Sequence, residues 1–410
     1  MSLSIDQAPR KNTEAWKPYT VIIGALAIIL YFLPFDTGSF GTIDFVQYWS
    51  AWKLMAQGQN PYDPFLLHNI QSALSSAPSP LIYSWNPPWT FTLLAPFHLP
   101  SFLGAAKLWC LFQVCSLLFI ASKAPKALNV PNIGVVGGAC VALAFLPSLY
   151  TIFYGQLGTL FALACTCFLL ALRRHSYALA GISLLPLTLK PHLFVLLAIP
   201  GIVWLMQIPR AAAVRFLLGS MGGFALLVGV TYAVEPSSIS WWLNAMLGPY
   251  IAHPQRIHFQ QWMTHTPATA LRLALLHIYG VNPTWPLLVI PAGGLVLTAL
   301  YFFIRRPFIN WTTLLPSMLC LSFASSSYAW VYDQPPLVLC QYLLISHALN
   351  GRRDAISSSI LIGCVGIQLA PLLLAATNNL PGYAFFLMPW ALLALSLWAN
   401  RRERITPRSY

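Results

Sequence analysis

Apolar stretches long enough to cross a bilayer recur along almost the whole of this sequence, divided by short basic turns. A helical span needs about 20 mostly apolar residues. Charge is correspondingly scarce. Of 410 residues, 58% are apolar and 8% charged, against about 45–50% and about 25% in ordinary soluble domains. So few ionised groups cannot cover a water-exposed surface. A soluble enzyme, a disordered tail protein and a nucleic-acid-binding domain are thereby excluded. The expected class is an all-α polytopic membrane protein.

Spans are expected at 18–35, 101–122, 132–153, 157–172, 177–189, 191–207, 212–233, 285–304, 308–326, 335–349, 356–376 and 382–399. The run from 18 to 35 follows Arg10, Lys11 and Lys17 and ends in Pro34-Phe35-Asp36 without a small-residue cleavage pattern. It reads as a retained first helix rather than a removed signal peptide. With the N-terminus inside, the basic clusters share one side: Lys123/Lys126, Arg173/Arg174, Arg210/Arg215, Arg305/Arg306, Arg352/Arg353 and Arg401/Arg402/Arg404. That is the cytoplasmic side by the positive-inside rule. The net charge of +13 reports these turns and no nucleic-acid partner. The five exceptions are Lys53, Lys107, Lys190, Arg256 and Arg272.

The acids divide differently. Asp36, Asp44, Asp63, Glu235 and Asp333 fall on the outer side, which the positive-inside rule does not demand. Carboxylate chemistry in this chain is therefore expected outside. Two outer segments, 36–100 and 234–284, are too long to be mere connectors. In the first, an interfacial helix is expected from Asp44 to Gln57, with Phe45, Tyr48, Trp49 and Trp52 on one apolar face. A second short helix is expected over 64–77. The apolar run ending at His98-Leu99-Pro100 is too short to cross and reads as re-entrant or surface-lying. No internal repeat is visible. The expected organisation is a cytoplasmic tail over 1–17, one transmembrane domain over 18–400 and a second tail over 401–410.

The eight cysteines all lie in apolar stretches and read as small apolar residues rather than as disulfides or metal ligands. The chemical candidates are polar groups at the outer ends of spans: Asp44, Gln156, Lys190, His192, Asp333, and Arg256 and His265 of the second outer loop. Ionisable groups at membrane depth are costly, so their convergence on one face is a functional signal. Each has a plainer alternative. Asp44 suits the N-cap of its helix. Lys190 can snorkel to headgroups, and Gln156 can bond between helices. Trp49, Trp52, Trp85 and Trp89 suit interface anchors.

The order of residues is more specific. The run Asp44-Phe45-x-x-Tyr48-x-x-Ala51-x-x-Leu54-x-x-x-Gly58-x-Asn60-Pro61-Tyr62-Asp63 is followed by Tyr83-x-x-Asn86-Pro87-Pro88 and Pro96. This resembles the opening of glycosyltransferase family 87. Tyr154-Gly155-Gln156-Leu157, Ala180-Gly181 and Leu189-Lys190-Pro191 are similar to the family's middle section. The stretch Gln260-Gln261-Trp262-Met263-Thr264-His265-Thr266 departs from the Asn-Gln-Ser expected there.

The resemblance implies a GT-C-like helical bundle of about 10–13 transmembrane helices, with interfacial helices in the first outer loop. It implies transfer of a hexose, mannose by family, from a polyprenyl-phosphate donor to a lipid or glycan acceptor. It also implies Asp44 as the catalytic carboxylate, and an outer polar cavity including Lys190 and a later histidine. A sugar on polyprenyl phosphate already has a good anionic leaving group. One base on the acceptor hydroxyl and positive charge beside the phosphate then suffice. Lys190, Arg256, His192 and His265 are the expected phosphate partners, and Tyr48, Trp85, Gln156 and Asp333 the expected pocket. No metal or cofactor is required. The expected location is the plasma membrane, with both termini cytoplasmic and the site extracytoplasmic. The competing class is a transporter or lipid flippase, which is expected to show inverted-repeat symmetry about a midplane site.

Overall fold

The computed structural model of the protein describes residues 44–74, 81–130, 133, 135–247, 266–280, 283–350, 355–378 and 387–405. The expected tail over 1–17, the expected first span at 18–35, residues 406–410 of the expected tail over 401–410, and Arg256 and His265 lie outside them. Every described element is a helix. In chain order the α-helices are α1 (Phe45–Ala56), α2 (Pro64–Ser72), α3 (Trp89–Leu94), α4 (Phe102–Ala127), α5 (Val135–Ala144), α6 (Leu146–Tyr154), α7 (Gly158–Arg173) and α8 (Tyr177–Ser183). They continue with α9 (Ala198–Gln207), α10 (Arg210–Val234), α11 (Ser238–Leu247), α12 (Pro267–Tyr279), α13 (Pro286–Arg305), α14 (Trp311–Ser325), α15 (Val338–Asn350), α16 (Ala355–Asn378) and α17 (Leu387–Ile405).

The chain is an all-α polytopic membrane protein. Among the described residues, α4, α10 and α13 are long and apolar enough to span, and α5 with α6 makes a fourth if counted as one bent span. Shorter apolar helices lie at the expected spans 157–172, 177–189, 191–207, 335–349, 356–376 and 382–399. α10 and α13 leave most of their apolar surface uncovered, including Leu218, Met221, Leu226, Leu288, Leu297 and Phe303. A face like that is stable only against hydrocarbon. α8 and α10 approach at backbone distance. A Cβ on Gly219 would stand 2.1 Å from the Ala178 carbonyl oxygen, the close contact that small residues permit between membrane helices.

The expected spans 132–153, 177–189 and 191–207 are not continuous α-helices, and proline marks each change. The 132–153 run bends by 65° at Phe145, between α5 and α6, where Pro147 enters the first turn of α6. The 177–207 region is helical only at its ends. Between α8 and α9 the chain makes three 3-10 turns, Leu185–Leu189, Pro191–Leu193 and Val195–Leu197, with Pro186 and Pro191 each opening one. Lys190 sits in the gap between the first two turns.

The aromatic face of α1, expected to rest on a membrane surface, is instead packed on protein. Phe45 stacks on Trp109 of α4 at 5.8 Å between centroids, and Trp49 meets Phe102 edge-on at 5.6 Å. The Trp49 indole N–H donates to the Leu99 carbonyl at 2.9 Å. α4 thereby fixes the start of α1, which is where Asp44 stands.

Candidate active site

Asp44 occupies the N-cap position of α1, but its side chain accepts no capping bond. Asp63 shows the contrast. It caps α2 by accepting from the Phe65 and Leu66 amides. The Asp44 carboxylate is therefore left for other work, and the capping alternative falls away. Its Oδ2 accepts from Gln156 Nε2 at 2.8 Å.

Gln156 links the polar groups. Its Oε1 accepts from the Tyr48 hydroxyl at 2.7 Å and faces Lys190 Nζ at 3.4 Å. Two donors on one side and a carboxylate on the other leave the amide a single orientation. Lys190 Nζ also pairs with Asp333 Oδ1 at 2.6 Å and stands 5.4 Å from the centre of the Tyr332 ring. The second Asp333 oxygen accepts from the Trp330 amide at 3.1 Å. Five expected residues, from chain positions nearly 300 apart, thus form one connected set: Asp44, Tyr48, Gln156, Lys190 and Asp333.

Local sequence explains each placement. α6 ends at Gly155 in the left-handed region, φ +66°. This turns the chain at once into α7 and aims Gln156 at α1. A Cβ at Gly155 would stand 2.7 Å from Phe45 Cβ, so only glycine lets this turn reach the residue beside Asp44. The Trp109 indole N–H donates to the Gly155 carbonyl at 2.8 Å and pins the turn. Gly158, at the start of α7, lies against the Asp333 segment, and its Cβ would meet the Tyr332 oxygen at 2.1 Å. Thr151 Oγ1 donates to that same Tyr332 carbonyl at 2.6 Å.

The first outer loop holds Lys190. Asn86 Nδ2 donates to the Leu189 carbonyl at 3.0 Å, and Trp89 Nε1 to Thr188 at 3.4 Å. The Tyr62 hydroxyl donates to the Asn86 carbonyl at 2.9 Å. The Asn-Pro-Tyr and Asn-Pro-Pro motifs are thereby connected to the lysine.

Asp44 keeps part of its side chain open, while protein surrounds it closely. Burial pushes its pKa up to about 6, against the bonds from Gln156 and the nearby charge of Lys190, which pull it down. The Tyr332 hydroxyl also bonds to Asp44 and favours the ionised form. A partly exposed carboxylate with its pKa raised to about 6 is ionised at neutral pH yet basic enough to take a proton in a transition state.

His192 lies beside this set but is not joined to it. It is exposed rather than enclosed by protein. Its ring packs edge-on to Tyr328 at 6.4 Å. Trp85 stands apart, lining a cleft whose walls include none of the five connected residues. Two contributors were missed by sequence reasoning. Tyr332 was overlooked beside Asp333. Arg272 of α12, buried and bonded to Tyr328, brings a second cation toward His192. Its signal was available, since it is one of five cations off the basic face. No grouping of three or more His, Cys, Asp or Glu fit for a metal occurs among the described residues.

The profile of glycosyltransferase family 87 matches residues 85–327, well over half of the chain. No curated protein and no solved structure matches. The chain belongs to glycosyltransferase family 87, and it is a membrane glycosyltransferase.

Proposed function

We propose that this family 87 glycosyltransferase moves a hexose, mannose by family pattern, from a polyprenyl-phosphate donor to a hydroxyl of a lipid or glycan acceptor. The reaction takes place on the extracytoplasmic face, with Asp44 as general base. The observation that carries this reading is the state of Asp44: uncapped, partly exposed, oriented by Gln156 and raised to about 6.

In the step, the acceptor oxygen attacks C1 of the sugar and its proton passes to Asp44. The bond from C1 to the phosphate oxygen breaks, and polyprenyl phosphate leaves with the electron pair. Attack opposite the leaving group inverts the anomeric centre. One carboxylate suffices because the leaving group is already a stable anion, unlike the alkoxide that a glycosidase must protonate. Lys190 supplies positive charge beside the departing phosphate, and Arg272 is a second cation on the same side. Asp333 holds Lys190 in place. Tyr48 and Gln156 fix Asp44. Arg256 and His265 remain candidates for the donor phosphate.

Family membership favours this reading over a transporter or flippase. The test uses membranes containing the full-length protein and a polyprenyl-phosphate-[¹⁴C]hexose. Wild type transfers label to endogenous lipid or glycan. Asp44→Asn is expected to lose about 10²–10⁴-fold in rate, the usual share of a general base. Full activity in Asp44→Asn would reject the base assignment.

A further inference from the structure

A cleft of about 200 Å³ opens between the first outer loop and α11. Its walls are aromatic and amide-rich. Tyr83 and Trp85 pack at 5.7 Å, and Trp85 is 38% exposed. Trp241 and Asn244 face them from α11, three residues apart and so on one helix face. Asn60 adds another amide. Ser84 lines the cleft with its hydroxyl buried, and that hydroxyl has no hydrogen-bond partner among the described residues. A buried polar atom left unpaired is costly, and a bound ligand that bonds it recovers the loss.

The cleft is built rather than incidental. Trp242, next to Trp241, turns the other way. Its indole N–H donates to the Trp85 carbonyl at 3.4 Å, and its ring meets Trp89 at 5.4 Å. α11 is thus fastened to the loop while Trp241 stays on the opening.

The chemistry of the lining narrows the occupant. No Lys, Arg or His lines it, and Asp63 does, which disfavours a phosphate. The volume is below the roughly 300–1,000 Å³ of pockets for drug-sized molecules, so it suits a single ring rather than a lipid chain. Aromatic faces offered with amide and hydroxyl groups match a sugar, which has apolar C–H faces and a polar rim.

We propose that this cleft is a docking subsite for a neutral saccharide of the acceptor. It rests on the transferase reading above. Tyr62 lines the cleft and bonds Asn86, and Asn86 bonds the carbonyl preceding Lys190, so the subsite adjoins the Asp44 set through two hydrogen bonds. An acceptor anchored here presents its next sugar toward the base.

The test is direct binding to full-length protein in lipid nanodiscs, which avoids sugar-headed detergents. Tryptophan fluorescence and saturation-transfer NMR are followed with mannobiose, maltose and cellobiose. At least one disaccharide is expected to bind. Trp85→Ala and Trp241→Ala are expected to weaken it at least tenfold, and Trp85→Phe by less. Asp44→Asn is expected to bind as wild type. The proposal is overturned if no disaccharide binds, if Trp85→Ala binds unchanged, or if farnesyl phosphate alone perturbs these tryptophans. Failure of the base assignment looks different: Asp44→Asn would transfer at full rate while disaccharide binding still depended on Trp85.

Discussion

Asp44 is costly to the fold in the state that makes it useful. Its pKa rises from 3.8 to about 6 because burial penalises the charged form. A group with a raised folded pKa contributes stability below its unfolded pKa, and that contribution disappears as pH climbs through the folded value. At pH 7.5 the ionised carboxylate therefore destabilises the protein, by an amount on the order of 1–3 kcal/mol. Asp44→Asn is expected to melt above wild type at pH 7.5, and the gap is expected to close as pH falls to about 4. Thermal unfolding across that range checks it. Lys190 and Asp333 make the opposite case. Asp333 is 2% exposed, so Lys190→Ala strands a buried charge and is expected to cost about 3–5 kcal/mol. The pair Lys190→Met with Asp333→Leu is expected to recover most of that stability but none of the transfer activity. Recovered activity would mean that the pair is structural only. At this scale, side and chain order together located Asp44, Tyr48, Gln156, Lys190 and Asp333 in the sequence. The place of Trp85 was not legible, because which wall a side chain faces is a tertiary fact.

Elements carry these side chains, and two glycines decide how closely the elements meet. Gly155→Ala must place a Cβ against Phe45 and adopt a positive φ, and Gly158→Ala must push α7 off the Tyr332 backbone. Each is expected to destabilise by more than about 1 kcal/mol, consistent with strain at a special backbone position or overpacking. Each should also lower transfer rate out of proportion to folded protein, because the first moves Asp44 and the second moves Asp333. Rates normalised to the folded fraction test this. Apolar length was enough to find α4, α7, α10, α13 and α14 within a few residues of their observed ends. It put a turn at Lys190 between two expected spans, but it could not find the bend at Phe145 or the 3-10 turns on either side of Lys190. Hydropathy runs smoothly through Phe145, and proline marks a possible break without saying whether a span bends or unwinds.

For the whole molecule, the account requires that four separate chain regions meet at one face of the membrane. The segments carrying Asp44, Gln156, Lys190 and Asp333 do converge, while the basic turn at Arg173 and Arg174 lies at the other end of α7 from Gln156. Charge distribution along the sequence anticipated that separation, because basic turns and acidic loops alternate with the spans. The helical class was equally legible from apolar length. The meeting of the segments was not, since no local pattern encodes which outer turns touch. The central claim is that a carboxylate open to the extracytoplasmic side accepts the acceptor proton. The measurement is the initial rate of hexose transfer in sealed right-side-out vesicles as external pH steps from 7.5 to 5, with the lumen buffered. The rate is predicted to fall with external pH, half-maximal near 6, and to be about 10²–10⁴-fold lower in Asp44→Asn at pH 7.5. A rate that follows the internal pH, or an Asp44→Asn variant that matches wild type, would contradict it.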